Sequence, residues 1–296
     1  AMNRKASFGI SRLGLAGLLG PSLAIYTFVM IVPLFLSFYY SLTDWTGGPV
    51  KRFVGFHNYE LLVRDGYFWQ SFKNNVIILA LTLVVQMGLA LSLTALFMSR
   101  TMRLKEFHRT VIFFPVVLSA VVVGFVWQMI YSNDYGVLNA LLRGIGLESL
   151  IRPWLDDPKI VLYSVTLPLI WQYLGIPLMI FLAAVQGIPK DIYEMCELEG
   201  CTGFKKARYI TFPLIYDTIK VVMMLSISSN MLVFSHIYVM TGGGPGTTSM
   251  VLAQYAYKTS FSSMQLGYGS AVTIGMFVLS FGIVLLFKRL AEVRNS

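Results

Sequence analysis

A charged segment in the middle of an apolar chain is the first candidate for chemistry. Residues 193–215 read YEMCELEGCTGFKKARYITFPLI, in a chain that is 56% hydrophobic and only 12% charged. Three glutamates precede Gly200 and three basic residues follow it. Such a segment offers ion pairs and apolar contacts to another protein. The alternative is a solvated loop whose opposite charges neutralise each other, and the residue types alone leave both interpretations open.

The same segment has the local signals of two short helices joined at a glycine. Asp191 and Glu194 have the D-x-x-E spacing of a capping box. Gly200 is suited to end the first helix in the left-handed conformation. Thr202 is placed to cap a second helix, which Pro213 would close. An acidic helix followed by a basic one predicts a surface that docks into a groove of another protein.

A second group of polar residues lies downstream, in the apolar run that follows. Ser226, Ser229 and Asn230 are spaced i, i+3 and i+4, which places them on one helix face. In a membrane, such a face indicates a helix partner or a wet pathway. Hydroxyls, amides and aromatic rings also suit carbohydrate recognition. The candidate pathway residues are Ser226, Ser229, Asn230, His236, Trp171, Gln172 and Tyr173.

Both groups need a scaffold that holds them in or beside a membrane. Mean hydropathy is +0.69, and the long apolar runs each exceed the ~20 residues that a helix needs to cross the hydrocarbon core. They lack the two-residue alternation of barrel strands. The sequence predicts an all-α integral membrane protein, one transmembrane domain over residues 1–296, with a cytoplasmic loop at 188–213. Its six transmembrane helices are predicted at about 13–40, 74–98, 110–131, 160–186, 216–240 and 267–287.

The basic residues predict the orientation of these helices. Lysine and arginine concentrate in the two end segments and in the loops near residues 100–109 and 188–208, and the positive-inside rule makes such segments cytoplasmic. Both termini are therefore predicted to be cytoplasmic. The first apolar run is too long for the core of a signal peptide and is predicted to remain as the first span. The basic residues assigned to the inside include Arg4, Lys5, Arg12, Arg100, Arg103 and Arg294.

Several kinds of chemistry are disfavoured by what the sequence lacks. It has no G-x-x-x-x-G-K-[ST] motif, and the loop TGGGPGTTS lacks the required lysine, so the chain is not expected to bind ATP itself. Paired intramembrane carboxylates, which would favour ion coupling, are missing. Cys196 and Cys201 without a histidine partner make a poor zinc site. We expect no catalytic residue, no metal, no cofactor bound by this chain and no nucleic-acid partner.

The charged segment resembles the EAA loop of ABC importer permeases. That family pattern is roughly E-A-A-x-x-D-G-A, eight residues, then I-x-L-P, and the glutamate, glycine, isoleucine and proline match here in register. The bulkier Met195 is the substitution most able to alter packing. The resemblance implies a loop that seats in a cytoplasmic ATPase subunit. The residues at its positions are Glu194, Met195, Cys196, Glu199, Gly200, Cys201, Ile210 and Pro213, of which Met195, Cys196, Glu199 and Cys201 are substitutions, and Phe204 adds an apolar side chain to the same surface.

The resemblance extends over about residues 13–290 and is to the maltose-type carbohydrate permeases. It implies a type I ABC importer permease fold in the bacterial cytoplasmic (inner) membrane. It also implies a second permease subunit in a heterodimer, two ATPase subunits that bind ATP and Mg, and an extracytoplasmic substrate-binding protein. Family members often carry an aromatic residue and an aspartate where this chain has Ser235 and His236. An anionic sugar or a glycerol phosphate is therefore an alternative cargo, and a self-sufficient carrier or channel is the alternative from another class.

Overall fold

The computed structural model of the protein describes residues 12–99 and 102–293. Within these residues the chain is mostly helical, and two short strands form an antiparallel hairpin in which Thr43 pairs with Phe53. Of the basic residues predicted to be cytoplasmic, Arg4, Lys5, Arg100 and Arg294 lie outside the described residues. The helices build an integral membrane protein of the predicted all-α class, and the description below follows them in chain order.

The first half of the chain contains long helices with short elements between them. Helices α1 and α2 join through a π-helical turn, as do α4 and α5. The bounds are α1 Arg12–Tyr26, π-turn Thr27–Ile31, α2 Val32–Ser41, β1 Thr43–Asp44, β2 Arg52–Phe53, α3 His57–Arg64, α4 Gly66–Leu81, π-turn Thr82–Gln86, α5 Met87–Phe97, α6 Lys105–Val117, α7 Ala120–Ile130, α8 Val137–Gly144 and a 3₁₀ turn at Glu148–Leu150.

The second half contains the charged segment and the polar helix face. Its bounds are α9 Val161–Tyr173, α10 Gly175–Gln186, α11 Lys190–Leu198, α12 Gly203–Lys206, π-turn Ala207–Thr211, α13 Phe212–Leu214, α14 Tyr216–Met231, α15 Ser235–Thr241, α16 Leu252–Tyr257, π-turn Lys258–Ser262 and α17 Leu266–Val293.

Three helices are long and apolar enough to cross a membrane, within residues 12–99 and 102–293. They cover Gly17–Ser41, Gly66–Phe97 and Leu266–Ala291. Three bent helix pairs bring the number to as many as six if each pair is one span. Length and composition are thus compatible with the predicted six spans, while that count and the cytoplasmic position of the termini stay predictions.

Three of the predicted spans are not single helices. The span expected at 110–131 is divided into α6 and α7, which meet at 100°. The division follows Pro115, and Ser119 starts α7 by accepting a hydrogen bond from Val121 N. The span expected at 216–240 ends at Met231, and α15 begins at Ser235. The kink expected in the fourth span is confirmed, because α9 and α10 meet at 40°.

The helix formed by α4 and α5 lies at the centre of the packing. It begins at Gly66 rather than near residue 74, because Asp65 accepts hydrogen bonds from Tyr67 N and Phe68 N and caps it. Its buried side chains contribute to three separate apolar clusters, with Ile78 in the first, Ala90 in the second and Leu79 in the third. This helix therefore fixes the positions of the elements that surround the site.

Gly175 permits a close approach between α10 and α6. A Cβ atom at this position would lie 2.8 Å from the Cα of Phe113. Small residues let helix backbones come together in a membrane, where van der Waals packing replaces the hydrophobic driving force. The contact holds the fourth helix pair against the bent third pair.

Candidate functional site

The charged segment folds as the predicted pair of helices around Gly200. Gly200 has φ +71°, so the expected left-handed conformation is confirmed. Gly200 N donates to Glu197 O at 3.1 Å and Cys201 N donates to Cys196 O at 2.8 Å. These two bonds form a Schellman motif, which ends α11 and satisfies its last carbonyls.

The predicted capping box is wrong. Helix α11 begins at Lys190, and extended Pro189, with ψ 138°, occupies the N-cap position. Asp191 lies inside the first turn, where its carboxylate faces the positive end of the helix dipole but makes no capping bond. Thr202 does occupy the N-cap position of α12, yet its side chain makes no capping hydrogen bond either. The second helix continues through a π-turn to Leu214, one residue past Pro213.

Lys206 ties the two helices together across the turn. Its Nζ lies 3.0 Å from Glu197 Oε1 and 4.4 Å from the centre of the Tyr193 ring. Tyr193 in turn places its hydroxyl 3.5 Å from Thr211 Oγ1. Lys206 and Glu197 therefore neutralise each other inside the segment, as the interpretation of a solvated loop expected. Glu194 and Glu199 remain exposed at its surface.

The surface of this segment is apolar as well as charged. Met195 is 67% exposed, Phe204 75% and Leu198 88%. An exposed group of large apolar side chains among charges is typical of an interaction surface. Leu198 and Tyr209, which is also exposed, were missed from the sequence, although Leu198 follows Met195 at the i+3 spacing that signals a shared face. We call Met195, Leu198, Phe204 and Tyr209 the docking surface.

The other predicted coupling residues differ in how far their side chains are buried. Cys196 is buried and its Sγ donates to Cys201 O at 3.0 Å. Burial raises the pKa of the Cys196 thiol to about 11. Cys196 therefore helps to hold the turn and offers nothing to a partner. Glu194, Glu199, Gly200 and Pro213 are exposed, and Cys201 and Ile210 are half-buried.

A cavity of about 540 Å³ lies beside the break between α14 and α15. Ligand pockets typically measure about 300–1,000 Å³ and combine apolar walls with a few polar groups. The cavity fits this description, with apolar walls from Leu169, Ile176 and Val233. Its polar or aromatic members from the predicted pathway set are Tyr173, Ser226, Ser229, Asn230 and His236.

The break that shapes the cavity is held by Asn75, which belongs to the central helix. Its Nδ2 donates to Asn230 O at 3.1 Å and to Met231 O at 3.4 Å, and its Oδ1 accepts from Leu252 N at 2.8 Å. These bonds satisfy the carbonyls that the end of α14 leaves free. The fifth span therefore stops where an amide from a distant helix replaces its own backbone partners.

The polar residues of the cavity have unequal roles. Asn230 is buried, donates to Ser226 O at 2.8 Å and accepts from Thr82 at 3.2 Å, so its amide is used inside the protein. Ser229 is exposed on the cavity wall and donates to Ser226 O at 3.1 Å, which leaves the acceptor sites of its hydroxyl open. Ser229 is thus better placed than Asn230 to contact a solute.

His236 lines the cavity and is paired with Gln172 behind it. His236 Nε2 lies 2.6 Å from Gln172 Oε1, and Gln172 Nε2 donates to Leu118 O at 2.8 Å. Gln172 is buried behind the cavity lining. Tyr173 packs its ring edge-on at 5.8 Å from that of His236. Trp171 lies apart from these residues, against Trp127 at 5.9 Å.

Two further residues of the cavity wall were missed from the sequence. Gln86 closes the π-helical turn of the central helix and is buried. A glutamine inside an apolar span is a signal that could have identified it. Phe234 lies in the break itself, and its position could not be read from local sequence, because the break depends on Asn75.

Both the family model and the relatives that match this chain are membrane components of transport systems. Residues 86–292 match the family model described as binding-protein-dependent transport system inner membrane component. The chain is 34% identical over 268 residues to the probable ABC transporter permease protein YurN of Bacillus subtilis, covering 90% of this chain and 91% of that protein. It is 29% identical over 288 residues to the diacetylchitobiose uptake system permease protein NgcF of Streptomyces coelicolor, covering 94% of this chain and 80% of the relative.

The fold is similar to that of a solved bacterial ABC transporter. A chain of the transporter involved in import of the acidic polysaccharide alginate superimposes with a TM-score of 0.83 at 22% sequence identity. The match covers 95% of this chain and 96% of that one. The architecture described above is thus shared with a chain of that transporter.

Proposed function

The chain belongs to the family of binding-protein-dependent transport system inner membrane components, and on that premise we propose that it forms, with a second permease, the pathway of an ATP-driven carbohydrate importer. The single observation that carries the proposal is helix α14. One end of it follows directly on the helix–glycine–helix segment, and the other end carries Ser226, Ser229 and Asn230 into the cavity.

The cargo is proposed to be a carbohydrate because of the cavity wall. It combines the open hydroxyl of Ser229 and the buried imidazole of His236 with the aromatic rings of Tyr173 and Phe234. Hydroxyl groups of a sugar need such hydrogen-bond partners, and its apolar ring faces pack on aromatic surfaces. Gln172 Oε1 can only accept, so the facing His236 Nε2 carries the hydrogen and leaves Nδ1 as an acceptor. The similarity to a diacetylchitobiose uptake permease and to a transporter that imports alginate agrees with this class.

The docking surface is proposed to seat in a cytoplasmic ATPase subunit. It presents apolar side chains beside Glu194 and Glu199, at the end of a tied and capped helix pair. This chain is the non-catalytic subunit, and ATP with Mg is bound by two partner ATPases. An extracytoplasmic binding protein delivers the solute to the bacterial cytoplasmic membrane, where the chain crosses six times with both termini inside.

Movement is proposed to pass along α14. The second helix of the segment and α14 meet at 73° with only Ile215 between them, and Ile215 is buried. A displacement of the docking surface must therefore turn α14, which is about 24 Å long at 1.5 Å per residue. Its far end carries the cavity wall, so closure of the ATPases changes the shape of the cavity and its access.

The cargo is tested with the complete importer in proteoliposomes containing ATP. Each vesicle sample receives one labelled probe: maltose, N,N′-diacetylchitobiose, an alginate trisaccharide or glycerol 3-phosphate, with its cognate binding protein. The proposal expects ATP-dependent uptake of at least one of the three sugars. Uptake of glycerol 3-phosphate alone would contradict the carbohydrate assignment and leave the importer assignment standing.

An anionic cargo remains the second candidate, and His236 tests it. In this chain the imidazole of His236 stands where members of the family that the sequence resembles often have aspartate. His236→Asp would place a carboxylate in the cavity wall and repel an anion there. Selective loss of alginate trisaccharide uptake, with maltose uptake retained, would support an anionic cargo. Equal effects on both probes would contradict it.

A further inference from the structure

Four aromatic side chains form a continuous group that begins at the cavity. The Phe234 ring lies 5.1 Å from that of Tyr238 and 5.6 Å from that of Tyr257. Tyr238 and Tyr257 are themselves 5.7 Å apart, and Phe261 follows at 5.3 Å from Tyr257. We call Phe234, Tyr238, Tyr257 and Phe261 the aromatic cluster.

The cluster connects the cavity to a more exposed surface. Phe234 belongs to the cavity wall and is partly buried. Exposure is 46% at Tyr238, 40% at Tyr257 and 62% at Phe261, so each of these rings keeps a free side. The members come from the break after α14, from α15, from the end of α16 and from the π-turn beyond it. Four separate segments thus contribute one ring each to the aromatic cluster.

The rings carry polar groups that the protein does not use. Across residues 12–99 and 102–293, neither the Tyr238 nor the Tyr257 hydroxyl has a hydrogen-bond partner. A solute that offers both an apolar face and hydroxyl groups matches the ring faces and the free hydroxyls. Sugar rings have that chemistry.

We propose that the aromatic cluster is a stacking track on which the sugar rings of an oligosaccharide pass between the extracytoplasmic side and the cavity. The inference rests on the proposed carbohydrate function and extends it to the path outside the cavity. Ring centres 5.1–5.7 Å apart form a continuous aromatic surface, so a chain of sugars can move from ring to ring without losing all contact. Uncharged rings also hold neutral and acidic sugars alike.

An ordinary aromatic pair elsewhere in the chain provides a matched control. Phe277 and Phe281 on α17 stack at 6.1 Å with 51% and 55% exposure, but neither belongs to the cavity wall or contacts the cluster. Replacing one of these two rings removes a similar exposed aromatic surface and leaves the aromatic cluster unchanged.

The test measures uptake by the complete importer in proteoliposomes at a subsaturating concentration of sugar-loaded binding protein. The probe is whichever of N,N′-diacetylchitobiose, maltose or alginate trisaccharide the unmodified importer carries fastest. Tyr238→Leu and Tyr257→Leu should each lower the uptake rate about fivefold, the loss expected for one aromatic contact. Tyr257→Phe keeps the ring and should stay within about twofold. Phe281→Leu should leave the rate unchanged.

The outcomes separate this inference from the proposed function. Normal uptake by both leucine variants would overturn the track while the carbohydrate importer stands. Reduced recovery of assembled importer with Tyr238→Leu or Tyr257→Leu, at an unchanged rate per assembled complex, would assign the cluster to contact with the second permease and also overturn it. If the unmodified importer carries none of the three sugars, the proposed carbohydrate function fails and the track fails with it.

Discussion

Lys206 Nζ lies 3.0 Å from Glu197 Oε1, on the opposite side of the turn at Gly200. This contact joins the basic helix to the acidic helix of one segment and explains why opposite charges are concentrated there. The pair is partly exposed, so it adds little to the stability of the whole chain. Its consequence is geometric, because it fixes the angle at which the docking surface is presented.

Replacement of Gly200 should uncouple ATP hydrolysis from uptake. A Cβ at Gly200 meets no atom within 4 Å, so Gly200→Ala acts through its φ of +71° alone, at about 1 kcal/mol. Gly200→Asn, which tolerates this conformation better, should retain more uptake. The ratio of sugar imported to ATP hydrolysed measures the effect.

Gly144→Ala is the control, since that glycine also has open space but a negative φ. Full coupling in Gly200→Ala, and also in the more severe Gly200→Pro, would refute the role of this turn.

A charge on the docking surface should release the ATPase subunits. Phe204→Asp replaces a 75% exposed apolar ring by a carboxylate. If the ring is buried by the partner, the carboxylate is desolvated there and costs several kcal/mol. Co-purification of the ATPase subunits on the tagged chain should fall at least tenfold. Phe56 is 68% exposed in the segment predicted to be outside, and Phe56→Asp should leave recovery unchanged. Equal recovery from both variants would contradict the docking assignment.

Two neighbouring serines separate solute contact from helix structure. Ser229 lines the cavity, whereas Ser228 donates to Met224 O and lies outside the cavity wall. Ser229→Ala should lower sugar uptake several-fold, as expected for one hydrogen bond of about 1 kcal/mol. Ser228→Ala should leave uptake unchanged. Losing uptake equally in the two variants would point to helix packing instead.

The thiol of Cys196 should react only at high pH. Burial raises its pKa to about 11, from an ordinary value of 9.0. The protonated thiol is favoured in the folded segment, so its stabilising contribution is complete below pH 9 and is lost as pH rises toward 11. In a Cys201→Ser variant, maleimide labelling should be slow at pH 8 and accelerate steeply above pH 10. Rapid labelling at pH 7 would show that Cys196 is not held in this turn.

Features of the fold that depend on local residues were predictable from the sequence, whereas features that depend on distant residues were not. The turn at Gly200 was predictable because the left-handed cap depends on one local residue type. The capping box failed because Pro189, two residues earlier, takes the extended N-cap conformation first. The break before α15 depends on Asn75, which is more than 150 residues away in sequence, so no local pattern predicts it. Gln86 and Ser119, by contrast, carried local signals that can be recognised.

The assignment of this chain to an ATP-driven importer is tested most directly by the ATP dependence of sugar uptake in proteoliposomes. One preparation contains this chain alone and the other contains it with the second permease, both ATPase subunits and the loaded binding protein. We predict that the complete assembly imports sugar when ATP is supplied to the ATPase side and stops with a non-hydrolysable analogue, while the chain alone imports none. Sugar uptake by the chain alone, independent of ATP, would contradict the account and indicate a self-sufficient carrier or channel.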